Sequence, residues 1–303
     1  MTRLNFQAHS SGRLIHFLTQ LNRSWSIGDP AFHIHNGHVF VDGKRCRKTD
    51  HKLNPGSRII VHEIESPRKP QLKYLVQNEF FLVVNKDAGD HVNETETTAN
   101  YSVIESVQEE FSDAKLIHRL DKETSGVLLI GRGSKNSRIL SQCFENRSVK
   151  KTYLAVVEGE IEEELTLDGS LAKDPRNPRS YRVHASGKSA LTKIVRLSSS
   201  NGMSVVAAFP LTGRTHQIRV HLADAGHPIL GDRQYGGPTA VRVDGAISSP
   251  ERVMLHARGL SIPARNMPWS ELQHSDNIEL LSPCPVDMRK YGCEELAEAT
   301  RFQ

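Results

Sequence analysis

Leu116-Ile117-His118-Arg119-Leu120-Asp121-Lys122-Glu123-Thr124-Ser125-Gly126 runs directly into the apolar stretch Val127-Leu128-Leu129-Ile130. Polar residues crowded ahead of an apolar run, and closing on Ser-Gly, describe a loop carried by a buried strand. Loops on such a rigid support commonly carry sites. Asp121, flanked by Arg119 and Lys122, is the candidate nucleophile or base of this loop, because an ionised carboxylate can serve as either. A turn aspartate in a surface ion pair leaves the same local pattern, and this segment alone favours that plainer reading.

Working outward, Phe81-Leu82-Val83-Val84, Gly126 to Ile130, Thr152 to Val157 and Ser204 to Phe209 read as strands. Ser134 to Arg147 reads as an amphipathic helix with Ile139, Leu140, Cys143 and Phe144 inward. Strands that cluster without strict alternation with helices predict an α+β fold on a largely antiparallel or mixed sheet. Towards the N-terminus, Ser11 to Leu21 has helical spacing, and Asp29-Pro30 opens a second short helix that runs to His35. After the Asn36-Gly37 break come the strand Val39 to Val41, the hairpin turn Asp42-Gly43 and the closing strand Arg58 to Val61. The expected organisation is a small α+β domain over residues 1–65, a Pro- and charge-rich linker over 66–72, and a larger domain over 73–303.

The bulk composition narrows the class. A chain of 303 residues with 37% hydrophobic content supports a sizeable core, and +4 net charge says little about partners by itself. The cysteines Cys46, Cys143, Cys284 and Cys293 form no Cys-x-x-Cys pair, which argues against thiolate zinc and fits a reducing compartment. No apolar run approaches the ~20 residues of a membrane span, and the N-terminus lacks the apolar core of a signal peptide. The expectation is a soluble, intracellular protein without a membrane partner. Gly187-Lys188-Ser189 imitates the end of a phosphate-binding loop, but Arg182 stands where the first glycine belongs.

A second stretch, Leu211 to Leu222, strengthens the functional reading of the first. It packs Arg214, His216, Arg219 and His221 into a segment whose Ile218, Val220 and Leu222 alternate like one face of a strand. Arg214 and Arg219 suit a carboxylate or phosphates. His216 and His221 are not at the helical metal spacing, so no metal is expected. Between Lys115 and Tyr153, nine Lys and Arg face three acids, an excess suited to phosphate binding or to a solvated basic helix face.

These segments converge on a family. His118-Arg119-Leu120-Asp121 with Thr124-Ser125-Gly126 resembles the signature of RluA-type pseudouridine synthases. Leu82-Val83-Val84-Asn85-Lys86 with Ala88-Gly89, Lys150-Lys151-Thr152-Tyr153-Leu154-Ala155, Gly213 to His221 with Gly231-Asp232 and Tyr235-Gly236, and Leu255-His256-Ala257 are similar to its other blocks, in order. The resemblance covers roughly Lys73 to Met288 and implies a cofactor-free, metal-free enzyme. Its reaction would convert a flipped-out uridine of rRNA or tRNA to pseudouridine. It implies catalytic roles for Asp121, for Tyr153 stacked on the base, and for Arg219 paired with the aspartate. Arg119 matches a residue that fills the space left by the flipped nucleotide. His118, Arg214, His216, Gln217, Lys150 and Lys151 are expected at the RNA.

The N-terminal segment resembles the small alpha-L RNA-binding domain shared with a ribosomal protein, through Gly12-Arg13-Leu14, Ile34 with Gly37, Asp42-Gly43-Lys44 and Pro55-Gly56. Ile15, His33, His35 and His38 depart from its basic and acidic pattern, and Asp87 departs from a usual proline in the larger domain. The insertion Lys173 to Arg182 is a candidate RNA contact or an ordinary basic loop. The resulting expectation is a cytoplasmic, monomeric RNA pseudouridine synthase. Its alternatives are a non-catalytic RNA-binding protein on the same scaffold, and a nucleosidase.

Overall fold

The apolar run after Ser125 forms the middle of a broad sheet. In a computed structural model, residues 2–22, 29–63, 68–95, 98–264, 267–269 and 275–293 are described. By their contacts the residues form two units, Met1–Gln71 with His91–Ser112, and Leu72–Asp90 with Asp113–Gln303. The segment His91–Ser112 falls within 73–303 in sequence but packs with the first unit. Of the expected linker, Ser66 and Pro67 lie outside the described residues.

The first unit contains β1 (Thr2–Gln7), β2 (Gly12–Arg13), α1 (Leu14–Asn22), α2 (Pro30–His35), β3 (Val39–Val41), β4 (Lys44–Cys46), β5 (Lys52–Leu53), β6 (Arg58–Glu63) and α3 (Val103–Glu110). Asp29 caps α2 by accepting from the Ala31 amide at 2.9 Å, and Asp42 and Gly43 both take positive φ in the turn that pairs β3 with β4. The sheet order is β1-β6-β3-β4. Leu14, Leu18, Ile34, Val39, Ile59 and Val61 close its core. Helix α3 buries Val103, Ile104 and Val107 and is closed at its start by a capping box between Ser102 and Glu105. Glu105 also holds the buried Arg45 guanidinium, Nε to Oε1 at 2.5 Å.

The second unit contains β7 (Tyr74–Gln77), β8 (Phe81–Lys86), β9 (Ala114–Leu116), β10 (Ser125–Arg132), α4 (Gly133–Glu145), β11 (Lys150–Glu158), β12 (Glu164–Asp168), β13 (Leu171–Asp174) and β14 (Asn177–Val183). It continues with β15 (Leu191–Ser200), β16 (Met203–Pro210), α5 (Gln217–Asp224), β17 (Val241–Val243), β18 (Ala246–Ser248), β19 (Leu255–Pro263), β20 (Asn277–Leu281) and α6 (Val286–Arg289). The main sheet runs β12-β15-β16-β11-β19-β10-β8-β7, with β20 on β19 and β9 on β10. Among the described residues every pairing is antiparallel except β10 with β19, so the expected α+β, mixed-sheet class holds. One apolar cluster packs β11, β16 and β19 against α5, and another packs β8 and β10 against α4.

One element differs from the sequence reading. Ile218, Val220 and Leu222 do not line a strand; they belong to helix α5. Residues 217–222 are all buried, so their apolar alternation carries no face information. Ile218 and Leu222, one helical turn apart, face one cluster, while Val220 faces another with Leu171 and Ala190.

Candidate active site

The signature loop leaves β9 and enters β10 through Gly126. There φ is +110° and a β-carbon would collide with the Ala257 backbone of β19, so the loop exit requires glycine. Just upstream, the Thr124 amide donates to the Asp121 carbonyl at 3.1 Å and closes a turn around Asp121. Lys86 pins that turn from below. Its buried ammonium donates to the carbonyls of Asp87, Asp90 and Lys122 at 2.8, 2.9 and 2.9 Å. Burial pushes the Lys86 pKa down to about 8, against the pull of the surrounding acids. The departure at Asp87 is absorbed locally: its carboxylate pairs with Lys73 at 3.0 Å.

Above the turn lies a cavity of about 500 Å³, a size suited to a nucleotide. His118, Arg119, Asp121, Lys151, Tyr153, Arg214, His216, Gln217 and Arg219 all line it. Lys150 does not; it lies exposed on β11, paired with Ser261. Arg219 approaches Asp121 with Nη1 at 3.7 Å from Oδ2, and His216 Nε2 lies 4.0 Å from Oδ1. Burial works against the Arg219 charge, but hydrogen bonds and charge from Asp232, with Asp121, raise its pKa overall. Tyr153 stands beside a bulge in the β11–β19 pairing, and burial, then Asp121, raises its pKa so that the phenol stays protonated.

The comparisons with known proteins decide what this cavity belongs to. The family described as RNA pseudouridylate synthase matches residues 80–224. The dual-specificity RNA pseudouridine synthase RluA of Salmonella typhimurium is 37% identical over 201 residues, 65% of this chain and 89% of that protein. An uncharacterized RNA pseudouridine synthase of Aquifex aeolicus is 31% identical over 221 residues, 67% of this chain and 70% of its own. The solved structure of human RNA pseudouridylate synthase domain containing 1 is similar at a TM-score of 0.60 and 27% identity, over 79% of this chain and 100% of that one. The chain belongs to the RluA-type RNA pseudouridine synthases.

As a member of that family it isomerises uridine in RNA, and the cavity can be divided into groups that face the space and groups that hold its walls. Arg119 is exposed at the cavity, and Arg214 is half-buried with its Nε donating to the Ser189 carbonyl at 3.0 Å. His118 is engaged within the synthase fold: its Nε2 accepts the Leu129 amide at 2.9 Å and its ring stacks on Phe144 at 4.5 Å. Gln217 is buried, with Oε1 accepting from the Thr212 hydroxyl and the Arg214 amide, and Nε2 donating to Leu191 and Thr192. It ties the arginine loop to β15.

Sequence reasoning gave no role to four groups that the structure joins to this site: Asp232, which grips Arg219; Gln234, which accepts from it at 3.1 Å; Tyr235, whose ring lies under its guanidinium; and Lys86. Lys86, Asp232 and Tyr235 already stood in the matched blocks, and that was their only signal; Gln234 had none.

Proposed function

We propose that Asp121 performs the isomerisation on a uridine flipped out of structured rRNA or tRNA, with Tyr153 as the base platform and Arg219 as the partner of the carboxylate. The observation that carries this reading is the convergence of Asp121, Tyr153 and Arg219 on one cation-rich cavity. The reaction breaks the bond between N1 and C1′, turns the uracil and joins C5 to C1′. Extruding the base costs a few kcal/mol, about what one stacked aromatic ring returns. After C5 joins C1′, the C5 hydrogen leaves as a proton and N1 gains one. The protonated Tyr153 phenol can supply the proton to N1, and the proton from C5 passes to the released Asp121 carboxylate or to water, so the count balances. Arg119, Lys151, Arg214 and the Lys173–Arg182 hairpin supply cations for the RNA backbone.

The protein acts as a monomer in the cytoplasm on this reading, and its four cysteines are free thiols, in keeping with a reducing compartment. No helix among the described residues is long and apolar enough to cross a membrane. A non-catalytic RNA-binding role on this scaffold leaves the assembled carboxylate, phenol and guanidinium without a purpose.

The test is to map pseudouridines in total RNA from cells lacking the gene, then from cells rescued with wild type or Asp121→Ala. Loss of a discrete rRNA or tRNA modification, restored by wild type alone, is the expected result. Restoration by Asp121→Ala would overturn the assignment of Asp121.

A further inference from the structure

His216, the residue just ahead of α5, has φ 56° and ψ 20°. A non-glycine residue persists in this left-handed region when its surroundings hold it. Here the surroundings are two tyrosines. The His216 Nδ1 lies 2.6 Å from the Tyr235 hydroxyl, and that oxygen accepts the backbone N–H of Tyr181 on β14 at 3.0 Å. Both tyrosine rings meet the imidazole edge-on, with centroids 5.8 Å away for Tyr181 and 5.6 Å for Tyr235.

This arrangement selects a tautomer. The Tyr235 oxygen receives the Tyr181 amide proton and has both a proton to give Nδ1 and a lone pair to receive from it. The Asp121 carboxylate at the other end of the ring decides for donation to Nδ1. Nδ1 is then the acceptor and Nε2 carries the ring's hydrogen. The opposite assignment would turn an Nε2 lone pair towards the Asp121 carboxylate, acceptor against acceptor.

We propose that His216 is a positioning residue, locked by Tyr235 as its Nε2–H tautomer so that one N–H is aimed at Oδ1 of Asp121 while Arg219 approaches Oδ2. The proposal rests on Asp121 being the catalytic group. The 4.0 Å separation is longer than a hydrogen bond, as such contacts often are before substrate tightens them. The groups facing the ring are Asp121 and Arg119 from the signature loop, Arg219 from α5, Asp232 and Tyr235 from the turn after α5, and Tyr181 from β14. Burial is the largest influence and lowers the imidazole pKa; Asp121 and Asp232 pull it up, and Arg219 and Arg119 push it down. The ring is therefore a neutral donor near pH 7.

Through the same contacts the hairpin of β13 and β14 reaches the carboxylate. The Tyr181 amide fixes Tyr235, Tyr235 fixes His216, and His216 fixes Asp121.

The test compares His216→Gln, His216→Ala and Tyr235→Phe in the full chain on an RNA transcript that wild type modifies, with Asp121→Ala alongside. Gln sets an amide N–H near the position of Nε2 without a titrating ring, and Gln and Ala meet the same backbone strain. The expected kcat is within about tenfold of wild type for Gln and lower by about 100-fold for Ala, with KM unchanged in both. Tyr235→Phe strips Nδ1 of its donor, so the ring takes a proton more readily and the acid limb of the kcat profile moves to higher pH.

Gln as inactive as Ala would overturn the proposal in favour of proton transfer by the imidazole. A rise in KM alone would overturn it in favour of an RNA contact, and a wild-type pH profile in Tyr235→Phe would remove the lock. An active Asp121→Ala would instead sink the catalytic assignment beneath it. Melting temperatures of the variants separate loss of fold from loss of positioning, and Tyr235→Phe decides the matter if His216→Ala does not fold.

Discussion

Arg219 grips Asp232 through two parallel hydrogen bonds, Nε to Oδ2 at 2.6 Å and Nη2 to Oδ1 at 2.8 Å, with both side chains almost wholly enclosed. The fork leaves Nη1 as the nitrogen that faces Asp121. Position and charge at the carboxylate are thus set by a residue that does not itself line the cavity. The Tyr235 ring under the guanidinium, 4.9 Å from its centre, completes the cradle.

A lysine cannot reproduce that geometry, because an ammonium has no planar fork with which to hold Asp232 and reach Asp121 together. Arg219→Lys is expected to fold and to lose about 100-fold or more in kcat, read by pseudouridine formation at saturating RNA. Asp232→Ala leaves a buried guanidinium without its main partner and is expected to cost about 3–5 kcal/mol of stability, read by urea unfolding.

Tyr153 separates into a ring and a hydroxyl. Tyr153→Phe keeps the platform and is expected to lower kcat with little change in RNA affinity. Tyr153→Leu removes the platform as well, and weakens binding by about 1–3 kcal/mol. Equal effects of Phe and Leu on KM would contradict the stacking role.

Lys86 carries no chemistry in this account, yet it joins three backbone carbonyls around the Asp121 turn. Lys86→Met leaves those carbonyls without their shared donor, which is expected to cost roughly 1–3 kcal/mol or more and to reduce kcat through a loosened turn. The Lys86 pKa lies at about 8 in the folded protein against 10.5 ordinarily, so between those values the unfolded chain holds more protons. Stability contributed by this group therefore rises with pH over that window, and the rise disappears in Lys86→Met.

His118 gives the corresponding acid-side prediction. Burial lowers its pKa to about 3 from 6.5, so the unfolded chain takes up a proton that the folded chain refuses over that range. Its contribution is complete above pH 6.5 and is lost as pH falls toward 3. His118→Gln, which retains an acceptor for the Leu129 amide, is expected to flatten the loss of stability between pH 7 and 5 in urea titrations.

Much of this was legible in the sequence where local pattern and tertiary role agree. Val127 to Ile130 is apolar without interruption and became a strand buried on both faces; Asp29-Pro30 and Asp42-Gly43 carry their cap and turn chemistry in the residues themselves. Helix α5 was not legible as a helix, because a segment buried all round has no polar face to reveal its period. Helix α3 carried a legible start in its Ser102-x-x-Glu105 box, with Val103, Ile104 and Val107 at helical spacing behind it; what no local pattern encodes is the Glu105 pair with Arg45, 60 residues away. The Asp121 and Arg219 blocks could be read by resemblance, but the dependence of Arg219 on Asp232 and of His216 on Tyr235 lies in distances that no spacing encodes.

The most direct measurement follows the hydrogen on C5. Joining C5 to C1′ displaces that hydrogen, so RNA transcribed with uridine tritiated at C5 releases tritium to water once per pseudouridine formed. Wild type is expected to release it from an rRNA or tRNA transcript to the extent of a discrete site. Asp121→Asn is expected to bind the same RNA and release none. Release by Asp121→Asn at a rate near that of wild type would contradict the account.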